Sequence, residues 1–191
     1  MGLATNLDLP LFDDYICLRP TDQIVSRALV LFVVISCAYR FSKKSALDWI
    51  KTEKLENNIS NSEKYFILND SANKSYFQKQ VEALNAFAWA LGFINFLDFD
   101  RGCDNLLVTN FPDIKNAESS VDFKAIASVR SATEVISTCD LAYCLHWAIT
   151  DAVLTGKNSH KPLSAHVIIE RGRALEWILN SDDWDSISLD V

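Results

Sequence analysis

The sequence predicts an all-α fold, a single-domain bundle of about six helices. Three observations predict it. Gly and Pro are scarce, at 5 and 4 of 191 residues, too few for the many turns of a sandwich or barrel. Apolar residues in the best-patterned stretches recur with a period near 3.6 rather than 2. The chain also has no GxGxxG and no GxxxxGK followed by Ser or Thr, the Gly-rich phosphate turns that open doubly wound and P-loop folds. With 49% apolar residues, a chain of this length buries a sizeable core.

Residues 1–20 read as an irregular N-terminal arm ending at Pro20. Residues 21–191 read as one helical domain with an acidic C-terminal tail over 181–191. Thr21 or Asp22 is placed to cap a first helix over 23–41. From Ala28 to Tyr39 that helix is apolar nearly all round, so it should be covered on most sides. The run is twelve residues between Arg27 and Arg40, short for a bilayer span. Asp8, Asp13, Asp14 and Asp22 precede it with no basic cluster, unlike a signal peptide. A buried core helix is the expectation and a membrane anchor the alternative.

Ser42 to Lys54 reads as a short helix, with Leu47 and Ile50 on one face beside Trp49. Ser60 and Glu63 have the spacing of a capping box for a segment through Leu68. Asp70 to Ser75 is a polar turn. A long helix is expected over 76–97, where Phe77, Val81, Leu84, Phe87, Leu91 and Ile94 form one stripe. Its second half carries Trp89, Phe93 and Phe96 on the other side, so it should be buried on two faces. Residues 98–122 are weakly patterned, with a short strand or hairpin near 104–110. Loops of this length are uncommon in compact domains, which makes this one a functional candidate. Further helices are expected over 123–154 and from Ser164 through Leu179, separated by a break at Gly156 to Pro162.

The formal charge is −7 and the pI about 4.9. That balance disfavours direct nucleic-acid binding, which depends on basic patches. It suits a basic protein partner, because opposite fields speed and orient association. The five cysteines (Cys17, Cys37, Cys103, Cys139 and Cys144) are odd in number and irregularly spaced. They read as free thiols of a reducing, cytoplasmic compartment rather than a disulfide framework or zinc site.

Polar residues on apolar faces are the candidates for a site. On the last helix Arg171 falls among Ile168, Leu175 and Leu179. An arginine there keeps its charge and demands a carboxylate, for which Asp140 and Glu134 are the candidates; snorkelling to the core edge is the alternative. Glu170 and Arg173 read as a surface pair at i,i+3. His146 lies on an apolar face with Val135, Cys139 and Tyr143, where a hydrogen-bonded core residue is the default. Cys139 and His146 are two potential ligands on one helix, which is not a metal site, and His160 and His166 have no spacing to complete one. No metal or cofactor is implied. Cys144 and His146 point to different faces, and no GxSxG elbow is present. Trp184 in the acidic tail either clasps the tail onto the body or anchors a partner.

Three segments resemble a mainly bacterial family known as domain of unknown function 4272. They are VEALNAFAWALGFINFL (81–97), VRSATEVISTCDLAYCLHWAITDA (129–152), and IIERGRALEWIL followed by WDSISLDV. The matching positions include Arg130, Glu134, Asp140, Tyr143, His146 and Trp147, then Glu170, Arg171, Trp177, Trp184, Asp185 and Asp190. Family members often carry Arg at the position of Cys144 and end in Asp-Thr where this chain has Asp190 and Val191. The resemblance implies a helical fold, marks Arg130, Glu134, Asp140, His146, Glu170 and Arg171 as a polar core or site, and brings an association with toxin genes but no agreed chemistry.

Three functions follow as expectations. The first is a cytoplasmic, non-enzymatic immunity protein that occludes a basic bacterial toxin, for instance a nuclease, with Asp182, Asp183, Trp184 and Asp185 as partner-binding residues. The second is an enzyme with a site built from Asp140, His146, Glu170 and Arg171. The third is a helical module for oligomerisation. The sequence does not set the oligomeric state.

Overall fold

The computed structural model describes residues 6, 8–12, 16–69, 73–156, 164–180 and 182–187. Among these the secondary structure is helical, with no strand. Eight α-helices follow in chain order: α1 (Thr21–Ala38), α2 (Lys43–Thr52), α3 (Asn61–Leu68), α4 (Lys74–Lys79), α5 (Val81–Ala90), α6 (Val121–Ile126), α7 (Ala132–Leu154) and α8 (Ala165–Leu179). Residues 70–72 of the turn at Asp70 to Ser75, most of the break at Gly156 to Pro162, His160, and residues 181 and 188–191 of the tail lie outside the described residues.

The helices stack in layers. α8 packs against α7 on one side and α5 on the other, and α5 in turn packs against α1. α1 also contacts α2, α3 and α4. This explains the apolar run in the sequence. By length and composition α1 could cross a membrane, yet Ala28, Leu29, Val30, Leu31, Val33 and Val34 are all fully buried in the protein core. Each such Val or Leu contributes roughly 1.5–3 kcal/mol when fully buried. α5 is also covered all round, with every residue from Glu82 to Ala90 buried.

Helix ends differ from the periodicity in physically readable ways. Neither Thr21 nor Asp22 caps α1; the amides of Gln23 and Ile24 donate to the Pro20 carbonyl instead. α1 stops at Ala38 because Arg40 turns left-handed (φ 77). The Phe41 and Arg40 amides then close back on the carbonyls of Ser36 and Cys37, a Schellman ending. The capping box at Ser60 and Glu63 forms as its spacing predicts, opening α3.

The expected helix over 76–97 is two helices. α4 breaks at Gln80, and α5 ends in a second Schellman turn in which Gly92 (φ 81) and Phe93 donate to Trp89 and Ala88. Phe96 therefore falls in a loop at 80% exposure, not on a buried helix face. The expected helix over 123–154 is likewise divided into α6 and α7. Between them, the amides of Ser128 and Arg130 donate to the carbonyls of Leu91 and Ala90. This backbone cannot continue a helix because it satisfies the orphan carbonyls at the end of α5. The strand expected near 104–110 is a 3-10 turn at Leu107–Asn110. Of the run Leu106, Leu107 and Val108, just Leu107 finds a core to face, and no neighbouring strand is there to pair with.

Candidate functional site

α8 is packed on two sides, so its buried Glu170, Arg171 and Arg173 have no water to turn to. Arg171 is 1% exposed. Its Nε and Nη2 donate to Glu82 Oε2 at 3.0 and 2.6 Å, and Nη2 also donates to the Arg101 carbonyl at 3.2 Å. The expected ion pair exists, but its partner is Glu82 on α5 rather than Asp140 or Glu134 on α7. The helix wheel gives the reason. The next residue, Gly172, is the one that faces α7, where a Cβ would stand 3.5 Å from that of Ala142. Arg171, about 100° further round, points to α5. The amide of Cys103 donates to Glu82 Oε1 at 3.0 Å, so loop 98–106 is pinned to the pair. Gly102 permits that approach, since a Cβ there would lie 3.1 Å from the same oxygen.

Glu170 and Arg173 are not a surface pair. Both are buried, 3.9 Å apart. Arg173 donates to the Tyr76 hydroxyl at 3.1 Å and to the Trp184 carbonyl at 2.9 Å, and its guanidinium stacks 4.3 Å from the Trp184 ring. Burial pushes the Glu170 carboxyl above its ordinary range, against the pull of Arg173 and Lys79. Glu170 Oε2, Arg173 Nε and both amide atoms of Gln80 are buried without a hydrogen bond among the described residues.

A third buried pair joins Arg27 on α1 to Glu63 on α3. Arg27 also donates to the Asn58 carbonyl at 3.0 Å and lies 5.1 Å from the Trp184 ring. Trp184 is 3% exposed between two guanidinium groups. Of its two possible roles, it clasps the tail and does not stand free as a partner anchor. Asp185 completes the clasp by accepting from Ser60 Oγ (2.8 Å), Ser62 N (2.9 Å) and Ser62 Oγ (2.6 Å) at the start of α3, where the helix dipole favours an anion. Burial works to raise the Asp185 carboxyl, but these bonds outweigh it and hold the group below its ordinary range. Asp182 and Asp183 remain exposed on the rim of a cleft of about 460 Å³ shared with Arg19, Asn57, Asn58 and Asn61.

The other sequence candidates lie apart. Arg130 ties α7 to the end of α5, donating to the carbonyls of Trp89 (2.8 Å) and Ile94 (3.0 Å) and pairing with Glu134. Glu134 closes the capping box of α7 with Ser131. Asp140 accepts the Phe12 amide at 3.0 Å and so fastens the N-terminal arm. His146 is half-buried on α7. Asp140, Glu170 and Arg171 thus serve three different contacts. Burial pushes the Cys139 thiol upward, which keeps it protonated. No group of three or more His, Cys, Asp or Glu among the described residues is arranged to hold a metal ion.

A second cleft, of about 580 Å³, lies beneath the loop over 93–110. Asn85, Arg171 and Cys103 line it, together with Phe93, Phe96 and Leu106. Asp98, Arg101 and Asp104 stand around it. Asn85 is 7% exposed. The sequence pattern did not mark Glu82, Asn85 or Arg27 as site residues, and it marked Glu63 as a helix cap alone. A signal existed for the first two: they are the polar residues of an otherwise apolar α5.

One family model matches residues 1–187, with the description Domain of unknown function (DUF4272). No curated protein and no solved structure matches the chain.

Proposed function

The chain belongs to this family of unknown function, and from that premise we propose that it is a non-enzymatic protein-binding protein: a cytoplasmic immunity protein that neutralises a basic bacterial toxin by occlusion. The observation that supports this reading is the clasped segment 182–187. Trp184 and Asp185 hold the segment against α1, α3 and α8, so Asp182 and Asp183 are presented from a braced backbone at the edge of a polar cleft. Carboxylates held this way meet a basic surface without a large ordering cost. The net charge of −7 adds long-range attraction, which acts mainly on the association rate. Support for the enzyme reading is weaker, because Asp140, Glu170 and Arg171 serve separate contacts.

The test is co-expression with the product of the adjacent gene, followed by size-exclusion chromatography and a growth assay. A complex and rescue of growth are expected. Asp182→Lys with Asp183→Lys should weaken the complex by about tenfold or more, with most of the loss in association rate and a flatter salt dependence. The absence of both complex and protection removes the reading.

A further inference from the structure

We propose that the cleft beneath loop 93–110 is a binding site for a small zwitterion, an α-amino acid with an apolar side chain. The inference stands apart from the protein-binding reading and uses a different surface. The cleft's volume of about 580 Å³ suits a small molecule.

The floor identifies the chemistry. Asn85 is more than nine-tenths buried, lines the cleft and makes no side-chain hydrogen bond to a described residue. Its amide lies at the surface of the cleft, free to bond a ligand in place of water. Arg171 repeats the pattern. Its Nε and Nη2 are taken by Glu82 and the Arg101 carbonyl, while Nη1 has no partner among the described residues. Two donor groups, one on a guanidinium, thus line the same cleft, a combination that fits a carboxylate.

The surrounding charges narrow the ligand further. Arg171 is neutralised by Glu82 and Arg101 by Asp98, which leaves Asp104 as the uncompensated charge around the cleft. A dianion such as phosphate would meet Glu82 behind the floor and Asp98 and Asp104 at the rim. A simple cation would meet the guanidinium edge. A purely apolar ligand would leave Asn85 unpaired. A zwitterion answers all three: its carboxylate lies on Asn85 and Arg171, and its ammonium faces Asp104. Phe93, Ile94, Phe96 and Leu106 line the cleft beside Asn95, Thr109 and Asn110, and Phe96 and Leu106 stand exposed, where an apolar side chain can pack. Cys103 adds no charge, because burial and then Glu82 push its thiol up to about 11.

Isothermal titration calorimetry on the full chain tests the proposal with leucine, phenylalanine, leucinamide, N-acetylleucine and inorganic phosphate. Leucine or phenylalanine should bind. Leucinamide, which lacks the carboxylate, and N-acetylleucine, which lacks the ammonium, should bind about tenfold or more weakly. Asn85→Leu should abolish the heat of leucine binding in a protein that still melts cooperatively. Asp104→Asn, a change at an exposed rim, should weaken leucine by a similar factor with the fold untouched. No heat with either amino acid overturns the proposal. So does phosphate binding as tightly as leucine, or leucine binding that neither variant alters.

Discussion

Two regions of this molecule are built from the same ingredients and end differently. Beneath the tail, Arg27 and Arg173 have carboxylates at Glu63 and Glu170, carbonyls at Asn58 and Trp184, and the Trp184 ring between them. A cleft of about 460 Å³ borders Arg27 and Trp184 there as well, but the Trp184 ring lies against both guanidinium groups, at 5.1 and 4.3 Å. Beneath loop 93–110, Arg171 has its carboxylate at Glu82 and a carbonyl at Arg101, but the space above is a cleft. Buried arginine by itself therefore does not distinguish structure from binding. The two differ in how closely an aromatic ring covers the guanidinium: Trp184 lies 4.3 Å from Arg173, whereas Phe99 stands 6.0 Å from Arg171.

The comparison can be broken most strongly at the cleft floor. Glu82→Ala leaves Arg171 buried and uncompensated and unpins the Cys103 amide, so it should cost roughly 3–5 kcal/mol, measured by urea unfolding. Under the tail, Trp184→Ala should cost about 3 kcal/mol by opening a cavity between two guanidinium groups. It should also release the tail, seen as faster amide exchange at Ser62, whose N–H donates to Asp185.

Asp185→Asn is a smaller and pH-dependent change, about 1 kcal/mol, because the carboxylate is still solvent-facing. The folded carboxyl lies below its ordinary range. Its contribution is therefore complete above the ordinary Asp value of about 3.9 and is lost as pH falls through the lowered folded value. The difference between wild type and variant should be flat at neutral pH and close in acid.

The smallest effect is expected at Glu170→Gln, within about 1 kcal/mol of wild type at pH 7. The sign there is reversed. Burial raises the folded carboxyl, so the wild type loses stability relative to the variant as pH rises from about 4.3 to the raised folded value. A variant markedly less stable than wild type at neutral pH would show that the Glu170–Arg173 contact is a strong pair after all.

Much of this was legible in the sequence, residue by residue. The capping box at Ser60 and Glu63 was read correctly because it depends on four consecutive residues. The all-round apolar character of α1 correctly announced a covered helix, and Arg171 on an apolar face correctly announced a buried ion pair. Periodicity failed at helix ends. Gly92 marks the end of α5, yet the apolar pattern continues through Phe93, Ile94 and Phe96, and a pattern of hydrophobicity does not record a left-handed turn. The Arg40 turn carries even less signal, because arginine is not the residue that favours it.

Local pattern alone thus sufficed for the helical class, the covering of α1 on most sides and the need of a buried Arg171 for a carboxylate. Each follows from local stereochemistry or from the cost of burying charge, which hold wherever the chain goes. Only the tertiary structure decided that the carboxylate is Glu82, that Glu170 and Arg173 are inside, and that Asn85 faces a cleft. Those outcomes depend on which helices flank α8 and how far round each side chain lies, distances of a few ångströms set by packing between segments some ninety residues apart in the chain.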